Sequence, residues 1–257
     1  MTLIAITRGV SPALNQCELS WQPREEIDLD KAIAQHRAYE QCLRDLGADV
    51  ISLPPEPDLP DSMFVEDPAV VVPEVAIITR MGAESRRAEA ESLATVLARY
   101  RPVRYLREPA TLEGGDVLRI EKTVFVGSSQ RTNMEGIKQL ASELSPFGYS
   151  VRAVSVDRCL HLKSACSWLG KQTVLANAEW IDIGILEAAG LRIVPVPPCE
   201  TRAANVLAIN GTVVVPAAFP ETAALIAQLG FPVRTLDISE LMKAEAGLTC
   251  SSIILST

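Results

Sequence analysis

No stretch of this 257-residue chain approaches the ~18 consecutive apolar residues that a membrane-spanning helix needs, so no membrane contact is expected. Basic tracts are missing as well. Lys and Arg are scattered through a chain of net charge −8, which argues against a nucleic-acid surface and names no acidic partner. The six cysteines, at positions 17, 42, 159, 166, 199 and 250, form neither a CxxC pair nor a zinc-ligand spacing. In a reducing compartment they read as free thiols, and no metal or other cofactor is expected. The first eight residues are too short and wrongly flanked for a secretory signal, so the expected location is the cytoplasm. With 48% hydrophobic and 22% charged residues, the composition is that of an ordinary globular protein, and residues 1–257 are expected to form one domain.

What the chain does have is a repeat. An apolar, β-branched strand at 2–8 is followed by a loop and then by a helix at 28–46. That helix places Leu29, Ala32, Ile33, His36, Tyr39, Leu43 and Leu46 close to a 3.6-residue period, and Gly47 stops it. A strand at 48–53 follows. The order strand, strand, helix, strand then appears four times: 64–72, 75–79, 84–100 and 103–106; 115–120, 123–126, 131–144 and 150–154; 161–168, 173–176, 180–189 and 191–196; 205–209, 212–215, 220–229 and 233–236. In the last unit Asn210-Gly211 is a hairpin turn signal. The fifth unit is split, with a strand at 249–255 joining the strand, helix and strand of the N-terminus. Near-equal units whose last strand pairs with the first close a ring. The expected fold is therefore an α/β propeller with fivefold pseudosymmetry, built of ββαβ units.

A polar residue recurs where each unit opens. Asp67 (beside Glu66), Glu113, His161, Asn205 and Cys250 are 46, 48, 44 and 45 residues apart. In a closed ring such positions point at one end of the central axis. A lone cysteine at a strand mouth is ordinarily a small hydrophobe, and His36, the only other histidine, falls on a helix face where packing explains it. Convergence changes that for Cys250 and His161. Negative neighbours raise a thiol pKa, so such a site disfavours a resting thiolate. A planar cation would reverse this, because carboxylates grip it by paired hydrogen bonds while its charge promotes the thiolate. A small guanidino compound fits, with Cys250 attacking the guanidinium carbon and His161 carrying protons.

The segments Phe64-Val65-Glu66-Asp67, Ile78-Thr79-Arg80-Met81-Gly82-Ala83-Glu84-Ser85-Arg86-Arg87, Leu112-Glu113-Gly114-Gly115-Asp116-Val117-Leu118, Phe125-Val126-Gly127 with Arg131-Thr132-Asn133, Leu160-His161-Leu162-Lys163-Ser164, Ala203-Ala204-Asn205 and Leu248-Thr249-Cys250-Ser251 resemble dimethylarginine dimethylaminohydrolases. The resemblance spans nearly the whole chain in register. It implies the fivefold propeller of the guanidino-modifying (pentein) superfamily and hydrolysis of an Nω-methylated arginine to citrulline and a methylamine. By position it implies Cys250 as nucleophile and His161 as general acid and then base. Asp67 and Glu113 become guanidinium or histidine partners, with Asp61 and Glu66 beside them. Arg86 and Arg131 become the clamp for the substrate α-carboxylate, Leu19 a lid residue, and Ala244 a backbone contact to the α-amino group.

Arginine deiminases resemble the same scaffold but carry an aspartate two positions after the histidine, where this chain has Lys163; that favours methylated substrates over plain arginine. Ser251 follows Cys250 where many relatives show a second cysteine. Two other functions stay open: a related deiminase, amidinotransferase or hydrolase of another guanidino or ureido compound, and a catalytically silent amino-acid-binding propeller. The sequence leaves the oligomeric state open, a homodimer included.

Overall fold

The computed structural model describes residues 2–256. Among them, five three-stranded sheets repeat one plan, in which the first two strands are antiparallel and the third returns parallel to the middle one through a helical crossover. The first sheet joins the two ends of the chain. Its middle strand β1 (Leu3–Arg8) pairs antiparallel with β15 (Ile253–Ser256) and parallel with β2 (Ala48–Leu53), and α1 (Leu29–Asp45) makes the crossover. Next come β3 (Ala69–Val71), β4 (Ala76–Ile78), α2 (Glu89–Leu97) and β5 (Val103–Tyr105), then β6 (Val117–Ile120), β7 (Thr123–Ser128), α3 (Met134–Leu144) and β8 (Ser150–Ser155). The fourth unit adds a short α4 (Leu162–Ala165) ahead of β9 (Cys166–Gly170), β10 (Thr173–Ala176), α5 (Gly184–Glu187) and β11 (Arg192–Pro195). The fifth runs β12 (Leu207–Ile209), β13 (Thr212–Pro216), α6 (Pro220–Gln228) and β14 (Val233–Leu236), with α7 (Ser239–Met242) leading back to β15.

Local chemistry sets the boundaries. Asp28 accepts the Lys31 N–H at 3.0 Å and caps α1, as Asn133 caps α3 by accepting from Gly136 at 2.8 Å. The β12–β13 hairpin turns on Asn210 and Gly211, both at positive φ, as a two-residue turn requires. Apolar residues of each sheet and its helix form their own cluster, so the interior is five adjoining cores rather than one. Tyr39 on α1, fully buried, shares a 2.7 Å hydrogen bond with Ser252 and so ties that helix to the segment entering β15. No helix among the described residues is long and apolar enough to cross a membrane.

The structure differs from the sequence reading in one consistent way. The polar residue opening each unit is not inside the strand but in a turn ahead of it. Residues expected in strands at 64–68 form turns, Gly114–Asp116 and Thr249–Ser251 are single 3-10 turns, and His161 caps α4. Strand alternation would send neighbouring side chains to opposite faces; a tight turn lets several aim at one place. The helix expected at 84–100 is likewise split into a 3-10 turn, Glu84–Arg86, and α2.

Candidate active site

His161 enters the site in extended conformation at the start of α4, with its ring 4% exposed overall. Its Nε2 lies 2.7 Å from Glu113 Oε2, and Glu113 is fully buried. Asp67 completes the group: its Oδ1 accepts the Gly115 N–H at 2.9 Å. Only glycine fits at 115, since a Cβ there would fall 2.5 Å from His161 Nδ1 and 2.8 Å from Asp67 Oδ1. Burial alone would discharge the imidazole. The carboxylates of Asp67, Glu113 and Asp116 outweigh it and hold the His161 pKa up at about 9. Burial pulls Glu113 the other way, but the bond to His161 and the charges of His161, Arg86 and Arg131 hold it down at about 2. At neutral pH the pair is imidazolium and carboxylate.

Cys250 sits in the 3-10 turn before β15, half-buried, and its Sγ accepts the Gly247 N–H at 3.4 Å. Its carbonyl accepts the Glu66 N–H at 3.2 Å, which brings the nucleophile candidate beside the Glu66-Asp67 pair. Burial first, and then the charges of Glu66 and Asp67, push the thiol up to about 12. The resting site therefore holds a protonated thiol and a charged imidazole, and a bound cation would favour thiolate formation.

Charge in the surrounding shell is largely spoken for. Arg86 is buried, donates from Nε and Nη2 to the two oxygens of Glu89 at 2.9 Å each, and from Nη1 to Asp67 Oδ2 at 2.9 Å. Arg131 is looser, donating to Ser20 Oγ at 3.0 Å and reaching Glu113 Oε1 only at 3.5 Å. Glu66 is ion-paired to Lys163 and accepts the Thr249 hydroxyl at 2.8 Å. Asp61, buried, accepts the Glu18 N–H at 3.1 Å, and burial raises its pKa. Leu19 follows directly and packs on the first core cluster, so the loop crosses the site with Glu18 on Asp61 and Ser20 on Arg131. Ala244 is buried one residue before Glu245, whose carboxylate accepts the N–H groups of Ser20, Trp21 and Gln22 and anchors that loop.

The structure thus gathers Cys250, Glu66, Asp67, Glu113, His161, Arg86 and Arg131 into one linked group and sets Asp61 and Leu19 along its cover. Glu89, Asp116 and Glu245 were not read from the sequence as site residues. Glu89 had a findable signal, lying three positions after Arg86 at helical spacing. Asp116 accepts the Leu162 N–H at 2.9 Å and the Ser129 and Thr132 hydroxyls at 2.6 Å each, which joins the His161 turn to the Arg131 loop. Asp67, Glu113 and His161 also bring ligand-type atoms within 4.8 Å of one another. Their oxygens already serve Gly115, Arg86 and His161, whose hydrogen bonds and charges supply what a cation would.

The two arginines should separate in mutants. Arg131→Ala is expected to raise KM about 10–100-fold with a much smaller change in kcat, since hydrogen bonds to charged groups contribute ~1.5–3 kcal/mol. Arg86→Ala strips the counter-charge from two buried carboxylates, which costs about 3–5 kcal/mol, so it should lower the thermal midpoint and kcat together. Steady-state kinetics and thermal melts check both. An unchanged KM in the Arg131 variant would move the carboxylate clamp elsewhere.

The family model for N,N dimethylarginine dimethylhydrolase, eukaryotic, matches residues 8–212. The chain is 40% identical to an N(G),N(G)-dimethylarginine dimethylaminohydrolase of Streptomyces coelicolor, over 97% of this chain and 95% of that one. It is 38% identical to the enzyme of the same name from Pseudomonas aeruginosa, over 88% and 89%. A solved cysteine-to-serine mutant of the Pseudomonas aeruginosa protein complexed with citrulline superposes with a TM-score of 0.93 at 34% identity, covering 99% of this chain and all of that one.

Proposed function

Because this chain belongs to the dimethylarginine dimethylaminohydrolase family, we propose that Cys250, His161 and Glu113 carry out that family's hydrolysis of Nω-methylated arginine to citrulline and a methylamine. The observation that supports these roles best is the charged His161–Glu113 pair beside a thiol held protonated by Glu66 and Asp67. Asp67, with Asp61 nearby, meets the guanidinium; its positive charge offsets the acids that keep Cys250 protonated. Arg131 takes the α-carboxylate, with Arg86 behind it. Leu19 covers the ligand, and the Ala244 carbonyl receives the α-amino group. Glu66, already paired with Lys163, adds negative charge beside the thiol more than a direct grip.

The Cys250 thiolate adds to the guanidinium carbon. The bond to the methylated nitrogen then breaks as the His161 imidazolium delivers its proton to the departing amine, leaving an S-linked thiouronium on Cys250. Neutral His161 next takes a proton from water as the oxygen adds to that carbon, and cleavage of the C–S bond releases the ureido product. Residues 1–257 act as one domain in this account. The five sheets close as a propeller about the site, an arrangement supported by the β1–β15 pairing of the chain's two ends.

Lys163 bears on substrate choice. Its ammonium neutralises Glu66, so the pocket has one carboxylate fewer for the nitrogens of plain arginine and keeps room for methyl groups. With asymmetric dimethylarginine and arginine compared by citrulline colorimetry, kcat/KM is expected to favour the methylated substrate at least tenfold. Arginine as the better substrate would make the chain a deiminase-type enzyme instead.

A further inference from the structure

Asn205 shares the repeat position of the acids, His161 and Cys250, yet the chemistry above uses it nowhere. Its side chain is 7% exposed, and every polar atom of it is engaged. Oδ1 accepts the Thr249 N–H at 3.1 Å, and Nδ2 donates to the Lys163 carbonyl at 3.0 Å and to Thr249 Oγ1 at 3.1 Å. The orientation is forced: a backbone N–H can only donate and a carbonyl can only accept, so the amide fits one way round. The Thr249 hydroxyl, having accepted from Asn205, donates to Glu66, and Glu66 pairs with Lys163. These four residues form a closed ring of polar contacts, one member from the residue next to Cys250 and another from two positions past His161.

Asn205 also fixes the other side of the nucleophile turn. A Cβ on Gly247 would lie 2.2 Å from Asn205 Cγ and 2.4 Å from its Oδ1, so the Gly247 backbone lies flat against the amide. The Gly247 N–H is the group that donates to Cys250 Sγ. One side chain thus sets both the residue before the nucleophile and the peptide that hydrogen-bonds its sulfur. Resting on the assignment of Cys250 as nucleophile, we propose that Asn205 is a positioning residue that fixes the Cys250 sulfur for attack by clamping Thr249 and backing Gly247. It touches no substrate. Its effect is therefore on the rate of adduct formation and not on binding.

Displacing a reacting group by about 1 Å costs about 100-fold in rate. Asn205→Ala is accordingly expected to lower kcat about 100-fold with KM within threefold of the parent. Gly247→Ala, which pushes against the amide, should lower kcat similarly in the parent background but less than threefold further in the Asn205→Ala background, where the space is vacated. Three results would overturn the proposal: kcat of Asn205→Ala within threefold of the parent, a KM rise with kcat held, or a Gly247→Ala loss of equal size in both backgrounds. Should Asn205→Ala not fold, Gly247→Ala alone decides: a 100-fold loss in kcat at constant KM supports the clamp, and a loss under threefold refutes it. If the parent turns over no methylated arginine, the function assigned above fails while this proposal is still read from alkylation. Peptide mapping after iodoacetamide should then show Cys250 reacting about tenfold more slowly in the variant, and an unchanged rate counts against the clamp.

Discussion

Cys250→Ser is expected to reduce turnover of dimethylarginine by at least ~10⁴-fold while citrulline still binds, because the alcohol offers no anion at neutral pH and the carboxylates around it remain in place. The wild-type thiol is itself unfavourably placed for ionisation. Burial and the charges of Glu66 and Asp67 push it up to about 12, so the reactive form arises only when a cation occupies the space in front of those acids. Selective labelling follows from the same electrostatics. A neutral alkylating agent should meet Cys199 first, the one cysteine that is exposed among the six. A cationic haloamidine should instead modify Cys250. Cys17, Cys42, Cys159 and Cys166 are buried, and burial raises the pKa of each. Peptide mapping by mass spectrometry reads the result. Uniform labelling by the amidine, or more than ~1% residual turnover in the serine variant, would remove Cys250 from the nucleophile's place.

The periodic features of this protein were legible before any coordinates. A 3.6-residue apolar pattern gave α1 and its stop at Gly47, and Asn210-Gly211 gave the β12–β13 hairpin. The near-constant spacing of Asp67, Glu113, His161, Asn205 and Cys250 gave the residues that share the site region. What spacing could not give was local conformation at those positions. The apolar run from Phe64 reads as strand, but it turns at the site because Gly114 packs against it: a Cβ on Gly114 would lie 2.0 Å from the Glu66 carbonyl. Long-range pairings were equally hidden. Glu245 holds the N–H groups of Ser20 to Gln22 from more than two hundred residues away, and only the β1–β15 pairing brings these regions together. Arg86 shows the opposite failure. Its residue type suited a carboxylate clamp, yet the structure gives the guanidinium three bonds to Glu89 and Asp67, so its main charge balance is internal.

His161→Ala should lower kcat about 10³-fold, within the ~10²–10⁴-fold range of general acid–base catalysis, and it should do so without unfolding the protein. The wild-type pH profile carries the sharper test. With its pKa held at about 9, His161 remains the imidazolium that the departing amine needs throughout the neutral range, so kcat should be level near pH 7 and fall as pH rises through about 9. No separate neutral population is needed for the second half-reaction, since delivering the proton to the amine generates the base in place. Glu113→Gln keeps the shape of the partner but removes its charge and weakens the bond at 2.7 Å. The alkaline fall should then move to lower pH. Stability follows with the same sign. Folding raises the His161 pKa above its ordinary 6.5, so the pair's contribution is complete below about pH 6.5 and lost as pH rises through about 9. Melting midpoints of wild type and Glu113→Gln should therefore converge across that interval. An alkaline limb that stays near 9 in the glutamine variant would mean that Asp67 and Asp116 set the imidazole's charge without Glu113. His161→Ala turnover within tenfold of wild type would place the proton carrier elsewhere.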